Sequence, residues 1–433
     1  MAGEWPTLSL REANVTLIDC DHRTPPASDV GYPYVAIPQL RAGRIDLSEV
    51  RRITPEHFVE WTRKARPSAD DVVLSRRCNP GETAAVPPKL DFALGQNLVL
   101  LRADGTKVYP PFLRWLVRGP AWWEQIGKFL NVGAVFDSLR CADVPNFELR
   151  IPPLPEQRAI AHILGKLDDK IELNRRTSET LESMARALFK SWFVDFDPVR
   201  AKTERRDPGL PKPLADLFPD SFEDSELGEI PRGWETATLA DFASLNSESW
   251  SKETRPETID YVDLSNTKWG HIQTVTPYAQ QDAPSRAQRV LRPGDTIVGT
   301  VRPGNGSFAF VTAEGLTGST GFAVLRPRRP EYTLLVYLAA TASENIETLS
   351  HLADGGAYPA VRPEVVGSTP AIRPAGEVLA RFSVLCEPLL TKLAQNERES
   401  STLAGLRDAL LPKLISGELR VNDASRIVAE AVS

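Results

Sequence analysis

A chain of 433 residues, 42% hydrophobic and 25% charged, has material for roughly two to three domains that each bury a core. Its net charge is −6, but five of those six negative charges fall within residues 207–232, so charge neither proves nor excludes DNA binding. No run approaches about 18 uninterrupted apolar residues, the first residues lack a basic start followed by an apolar core, and the four cysteines show no CxxC or Cys/His ligand spacing. Membrane insertion, secretion, structural zinc and a disulfide framework are therefore not expected; reduced thiols in the cytoplasm are.

Along the chain, residues 1–155 read as a mixed α and β domain. The β-prone runs Val72-Val73-Leu74 and Leu98-Val99-Leu100 are separated by Gly, Pro and Asp turn clusters. Arg63, Lys64 and Arg66 precede the first run, and Arg76, Arg77 and Asn79 form a basic turn directly after it. Residues 111–129 predict an amphipathic helix, followed by a Gly133-Ala134 turn. Prolines at 152, 153 and 155 push the backbone out of the helical region, so a long helix is expected only beyond them, over 156–194.

That helix carries Ile160, Leu164, Leu167, Ile171, Asn174, Ser178, Leu181, Ala185, Leu188 and Trp192 at alternating spacings of four and three, the seam of a left-handed coiled coil. Residues 195–232 read as a connector, and its acidic, proline-bearing stretch 202–229 is expected to loop out away from DNA. Residues 233–375 predict a second α and β domain with strands at Thr296-Ile297-Val298 and Phe322-Ala323-Val324-Leu325 and a helix over 332–351. Its basic positions are Arg286 and Arg289, then Arg302 and Asn305 in a glycine turn. A second heptad helix is expected over 376–420, through Leu379, Phe382, Cys386, Leu389, Leu393, Asn396, Ser400, Leu403, Leu410 and Leu414. Leu406 is expected to replace Arg407 on its seam, and residues 421–433 form a tail.

The two halves repeat each other about 222 residues apart: Tyr34-Val35 matches Tyr261-Val262, Asp71 matches Asp295, Leu181 matches Leu403, and Asn174 matches Asn396. A period of this length means two whole domains related by a pseudo-two-fold, which suits a partner with approximate two-fold symmetry. Asn174 and Asn396 at equal heights would meet if the helices run antiparallel, and a seam Asn serves to fix register. Arginine and asparagine on a turn are the groups that read guanine and adenine edges, so the recurring basic turns are the candidate DNA contacts.

Catalytic patterns do not emerge. Cys78-Asn79-Pro80-Gly81 is the nearest approach to an adenine-methyltransferase tetrapeptide and fails at its last two positions; there is no phosphate loop, and the five histidines are dispersed.

The stretches IPPLPEQRAIAHILGKLDDKIELNRR (151–176) and MARALFKSWFVDFDP (184–198), with GAVFDSL (133–139) and GGAYPA (355–360), strongly resemble the DNA specificity subunit of type I restriction-modification enzymes. The resemblance implies an α+β protein with two similar target-recognition domains joined by two long antiparallel coiled-coil helices. Each domain would read one half of a split double-stranded DNA site, and the helices would act as a ruler for the gap. Two methyltransferase subunits would dock on the helices, and motor-nuclease restriction subunits would join that core. S-adenosylmethionine, ATP and Mg would belong to those partners, leaving this chain without cofactor or metal. Glu156, Gln157 and Arg158 match the family pattern at the helix start, whereas Pro374-Ala375-Gly376-Glu377 departs from it in the second half. The alternatives are a coiled-coil adaptor for proteins and a self-contained modification enzyme.

Overall fold

The computed structural model describes residues 5–48, 50–133, 137–251 and 253–432; Ala134, Val135 and Phe136 of the first Gly-Ala turn lie outside the described residues. The chain divides into two compact units, one of residues 1–172 with 400–433 and one of residues 173–399.

In the first unit, an antiparallel sheet runs in the order Val15–Asp19, Leu98–Ala103, Val72–Ser75, Thr83–Ala85. Side chains alternate across a strand, and here both faces are covered. Val72, Leu74, Val99 and Leu101 enter the cluster shared with the helices, while Val73, Leu98 and Leu100 enter a second cluster with Val35 and Phe92. A smaller sheet pairs Arg52–Ile53 with Tyr32–Val35, and Tyr32–Val35 runs parallel to Ala93–Leu94.

The second unit repeats this order as Ala243–Leu245, Phe322–Pro327, Thr296–Gly299, Phe308–Phe310. It again pairs two strands in parallel, Thr258–Val262 with Leu316–Ser319. The two-sided pattern recurs too: Val298, Ala323 and Leu325 face one cluster, Ile297, Phe322 and Val324 the other.

An arginine pair to a buried aspartate recurs at the matching strand edges. Arg102 donates Nε and Nη2 to the two carboxylate oxygens of Asp71 at 2.7 and 2.6 Å. Arg326 does the same to Asp295 at 2.9 and 2.8 Å. Each aspartate also accepts a turn amide, from Ser68 and Arg292 respectively. Planar two-point pairing of this kind is strong and geometrically specific. Asp295→Asn keeps the shape but removes the charge, so it should destabilise the second unit by about 1.5–3 kcal/mol in urea unfolding. A loss below about 0.5 kcal/mol would show that the pair is not holding the strands.

The expected helix over 111–129 is two helices, Pro110–Leu116 and Pro120–Phe129, because Pro120 has no amide to donate into the preceding turn. The expected helix over 332–351 is likewise two, Thr333–Ala340 and Ser343–Leu352. There the break is made by side chains: Thr341 Oγ1 donates to the Tyr337 carbonyl and Asn345 Nδ2 to the Ala340 carbonyl.

The long helices span Leu154–Phe193 and Gly376–Ser416, 40 and 41 residues, or about 60 Å each. The first starts before Pro155, since a proline in the first turn forfeits no hydrogen bond. They run antiparallel. In the first unit Ile160, Leu164 and Leu167 pack with Leu403, Leu410 and Leu414, and Glu156 meets Arg420. In the second, Ala185 and Trp192 pack with Phe382 and Cys386, with Leu188 and Leu389 at the margin.

Two expectations are corrected. Arg407, not Leu406, holds the buried seam position, because its charge is neutralised there. The stretch 202–229 does not loop out. It forms part of the helix Asp197–Thr203, the helix Lys212–Ala215 and a hairpin of Phe222–Ser225 with Gly228–Pro231. Phe218 is buried with Phe196, Val199 and Trp234 against Trp192, Phe193 and Phe382, and Lys202 Nζ donates to the carbonyls of Ala215 and Phe218. Burying these aromatic rings, which cover about 150–250 Å² each, outweighs the solubility of the acidic groups. Those acidic groups, from Asp216 to Glu229, simply point outward.

Candidate nucleic-acid interface

Each unit carries a basic turn at the end of its third sheet strand. In the first, the turn follows Val72–Ser75, and Gly81 returns its amide to the Ser75 carbonyl at 3.0 Å. Cys78 takes a left-handed φ of 64°. Arg77 and Asn79 are exposed, and Arg76 is half-buried with Nη1 donating to the Leu139 carbonyl at 3.4 Å. The loop after the helix Pro120–Phe129 closes on this turn: Arg77 bridges Ser138, and Ser138 bridges Asn131. Trp122 Nε1 donates to the Gly81 carbonyl, and a side chain at Gly81 would strike Trp123 and Ile126 at 2.9 Å.

The second unit builds the same arrangement. Arg302 occupies the position of Cys78 and is also left-handed, at φ 47°. Val301 bridges Ala360, and Ala360 bridges Asp354. The hairpin of Thr267–Lys268 with His271–Ile272 lies against the turn, with Lys268 Nζ donating to the Asn305 carbonyl and the Trp269 amide to the Gly306 carbonyl. Arg302 and Asn305 are exposed.

The remaining candidates lie elsewhere. Arg63, Lys64 and Arg66 follow the helix Pro55–Trp61; all three are exposed, and Arg66 ion-pairs with Asp91 at 3.2 Å. Arg286 and Arg289 lie at the strand Ala287–Val290 of the other sheet. Arg286 is exposed, whereas Arg289 is partly buried and donates to Ser249 Oγ. The structure thus brings Arg76, Arg77 and Asn79 to one turn and Arg302 and Asn305 to its counterpart, and leaves the other five apart.

The helix residues divide by role. Gln157 is fully buried; its Oε1 accepts the Tyr109 amide and its Nε2 donates to the carbonyls of Lys107 and Pro152, so it locks the helix start to its own unit. Arg158 lies over the Tyr109 ring. The corresponding turn of the second helix buries Val378 and Leu379 instead, so apolar packing replaces the amide anchor where the sequence departs from the family pattern. At mid-helix, Asn396 Nδ2 donates to the Asn174 carbonyl at 3.4 Å and to Ser178 Oγ at 3.2 Å, while Asn174 Nδ2 donates to Glu399. The two asparagines do meet, but through backbone, serine and glutamate. Ile171, Leu181 and Leu393 are half-buried along the same seam.

Sequence reasoning missed two groups. One is the set of polar anchors between helices and sheets. Asp168 is buried among Arg114, Arg407 and Arg44. Burial would raise its carboxyl, but those guanidinium groups outweigh it and hold Asp168 below the ordinary carboxylate range. In the second unit Tyr337 donates to Glu182, which Arg186 also binds. The other is a set of exposed apolar groups: Trp269 and Tyr358 beside the second turn, and Leu173, Met184, Val384 and Leu385 on the helices. Their signal was an apolar residue out of phase with the heptad. Asp19, Cys20 and His22 also converge within 4.8 Å, but burial pushes the Cys20 thiol up to about 11 and its Sγ donates to the Gly95 carbonyl. A thiol held protonated is a poor metal ligand.

The chain matches the family described as type I restriction modification DNA specificity domain over residues 23–183. It is 25% identical over 408 residues to the type I restriction enzyme HindI specificity subunit of Haemophilus influenzae, covering 82% of this chain and 88% of that protein. The chain is similar to a type I restriction-modification specificity subunit over most of its length. The type I restriction enzyme MjaIX specificity subunit of Methanocaldococcus jannaschii is 24% identical over 386 residues, covering 86% of this chain and 83% of that protein. The crystal structure of a type I restriction-modification S subunit from M. genitalium shares the fold, with a TM-score of 0.52, 17% identity and coverage of 96% and 97%. The matched span of the chain takes in the first basic turn and most of the first long helix.

Proposed function

We propose that the chain is the non-catalytic DNA-recognition and scaffold subunit of a type I restriction-modification enzyme. Its two α+β regions read the two halves of a bipartite double-stranded target. The long helices set the unread gap and carry two methyltransferase subunits, to which motor-nuclease subunits add. S-adenosylmethionine, ATP and Mg are used by those partners, in the cytoplasm. The observation that supports this best is the recurrence of one basic turn, left-handed at the same residue, on the same strand of the same sheet order in both units. A protein adaptor has no need of it. The exposed Leu173, Met184, Val384 and Leu385 give the helices apolar ground for a partner. Among the described residues, no helix is long and apolar enough to cross a membrane.

The test is co-expression with a type I methyltransferase subunit, followed by methylation mapping of genomic DNA. A split motif with adenine methylation in each half is expected, with weak DNA binding by the isolated chain at about 150 mM salt, since few phosphates are neutralised by so modest a charge. Methyl transfer by the chain alone, or methylation without sequence preference, would refute the assignment.

A further inference from the structure

The second basic turn holds more than its first-unit counterpart. Arg302 is exposed, yet its side chain is not free to wander. Nη2 donates to the Ala357 carbonyl at 2.6 Å, and the guanidinium carbon lies 4.8 Å from the centre of the Tyr358 ring. Its own amide donates to the Pro359 carbonyl at 2.7 Å. Tyr358 is 72% exposed, an unusual position for a large ring that supports no core. A left-handed backbone at a non-glycine residue costs energy and persists where the surroundings fix it, here through the hydrogen bonds of the turn. Among the described residues the guanidinium donates only one hydrogen of Nη2, so Nε, Nη1 and the second hydrogen of Nη2 remain for another acceptor.

Resting on the reading of the chain as a DNA-recognition subunit, we propose that Arg302 is the guanine reader of the second half-site and that Tyr358 is its positioning residue. The guanidinium is held over the ring while one hydrogen of Nη2 is tied to the loop. The second hydrogen of Nη2, with Nε–H or Nη1–H beside it, then presents paired donors to O6 and N7 of a guanine in the major groove, the commonest specific arginine contact with DNA. Long side chains lose much rotamer freedom on binding, and the stack removes most of that loss beforehand. The first unit has Cys78 at this position, so the contact belongs to the second half-site alone. That half-site must therefore contain a guanine whose recognition depends on N7.

The test uses the chain purified with its methyltransferase partner, and duplexes in which each guanine of the mapped second half-site is replaced in turn by 7-deazaguanine, which lacks the N7 acceptor. The wild-type complex should bind one such duplex roughly 5- to 150-fold more weakly than the natural site. Arg302→Ala should be weakened to a similar degree on the natural site and should no longer respond to 7-deazaguanine at that position. Arg302→Lys should also lose the response, because an ammonium cannot make the paired contact. Tyr358→Ala should lose most of the discrimination, and Tyr358→Phe, which keeps the ring, should restore it. Both residues are exposed, so folding of the variants is not at issue. The proposal is overturned if no guanine of that half-site responds, if Arg302→Ala responds like wild type, or if Tyr358→Phe behaves like Tyr358→Ala. Sequence-independent binding by the wild-type complex would instead overturn the reading of the chain itself.

Discussion

Asp168→Ala is expected to destabilise the first unit by about 3–5 kcal/mol in urea unfolding at neutral pH. The carboxylate is 3% exposed and receives Arg407 Nη1 at 2.7 Å, with Arg114 bound to its other oxygen and Arg44 at 3.5 Å. Removing it leaves Arg407 and Arg114 buried without their shared counter-charge, which costs more than the pair itself contributes. The double change Asp168→Leu with Arg407→Met should recover part of the loss, because it removes the stranded charge of Arg407 while Arg114 stays without its partner. The pH dependence follows from the lowered carboxyl. Its contribution is fully present above the unfolded-state value, near 4, and is lost as pH falls through the lower folded value. Wild type should therefore lose stability more steeply below about pH 4 than Asp168→Asn. A single-variant loss under about 1 kcal/mol would mean that water enters and screens the cluster.

Removing one heptad from each long helix, residues 175–181 together with 389–395, is expected to abolish methylation at the proposed bipartite motif, either by shifting recognition to a shorter gap or by ending methylation. The paired deletion keeps Asn174 beside Asn396 and leaves the packing of Ala185 with Cys386 in place. Each helix shortens by about 10.5 Å, equivalent to about 3 base pairs at roughly 3.4 Å each. Three base pairs also turn the duplex by nearly a third of its helical repeat of about 10 base pairs. The variant either reads the same half-sites with a gap reduced by about 3, or assembles and no longer methylates. Deleting residues 167–173 from the first helix alone is a worse experiment, since it removes Asp168. Methylation of the natural motif with an unchanged gap would refute the proposed ruler.

What the sequence determined by itself is what depends on local pattern. The strands at Val72 and Thr296 follow from short apolar runs between turn residues, and the two long helices from an unbroken heptad. The repeat at about 222 residues implied that sheet order and the Asn174/Asn396 layer would recur, because equal patterns bury equal faces. Tertiary structure alone decided matters that depend on partners distant in sequence. Arg407 stays on the seam because Asp168 lies opposite it, 239 residues away in the chain. Stretch 202–229 folds back because its aromatic rings find Trp192 and Phe382 to cover, whatever its charge. Arg302 becomes a fixed donor, while Arg66 is an ion-paired surface group, only because Tyr358 and Asp91 respectively are folded against them. A residue's type sets what it can bind; the fold supplies the neighbour that decides whether it is already bound.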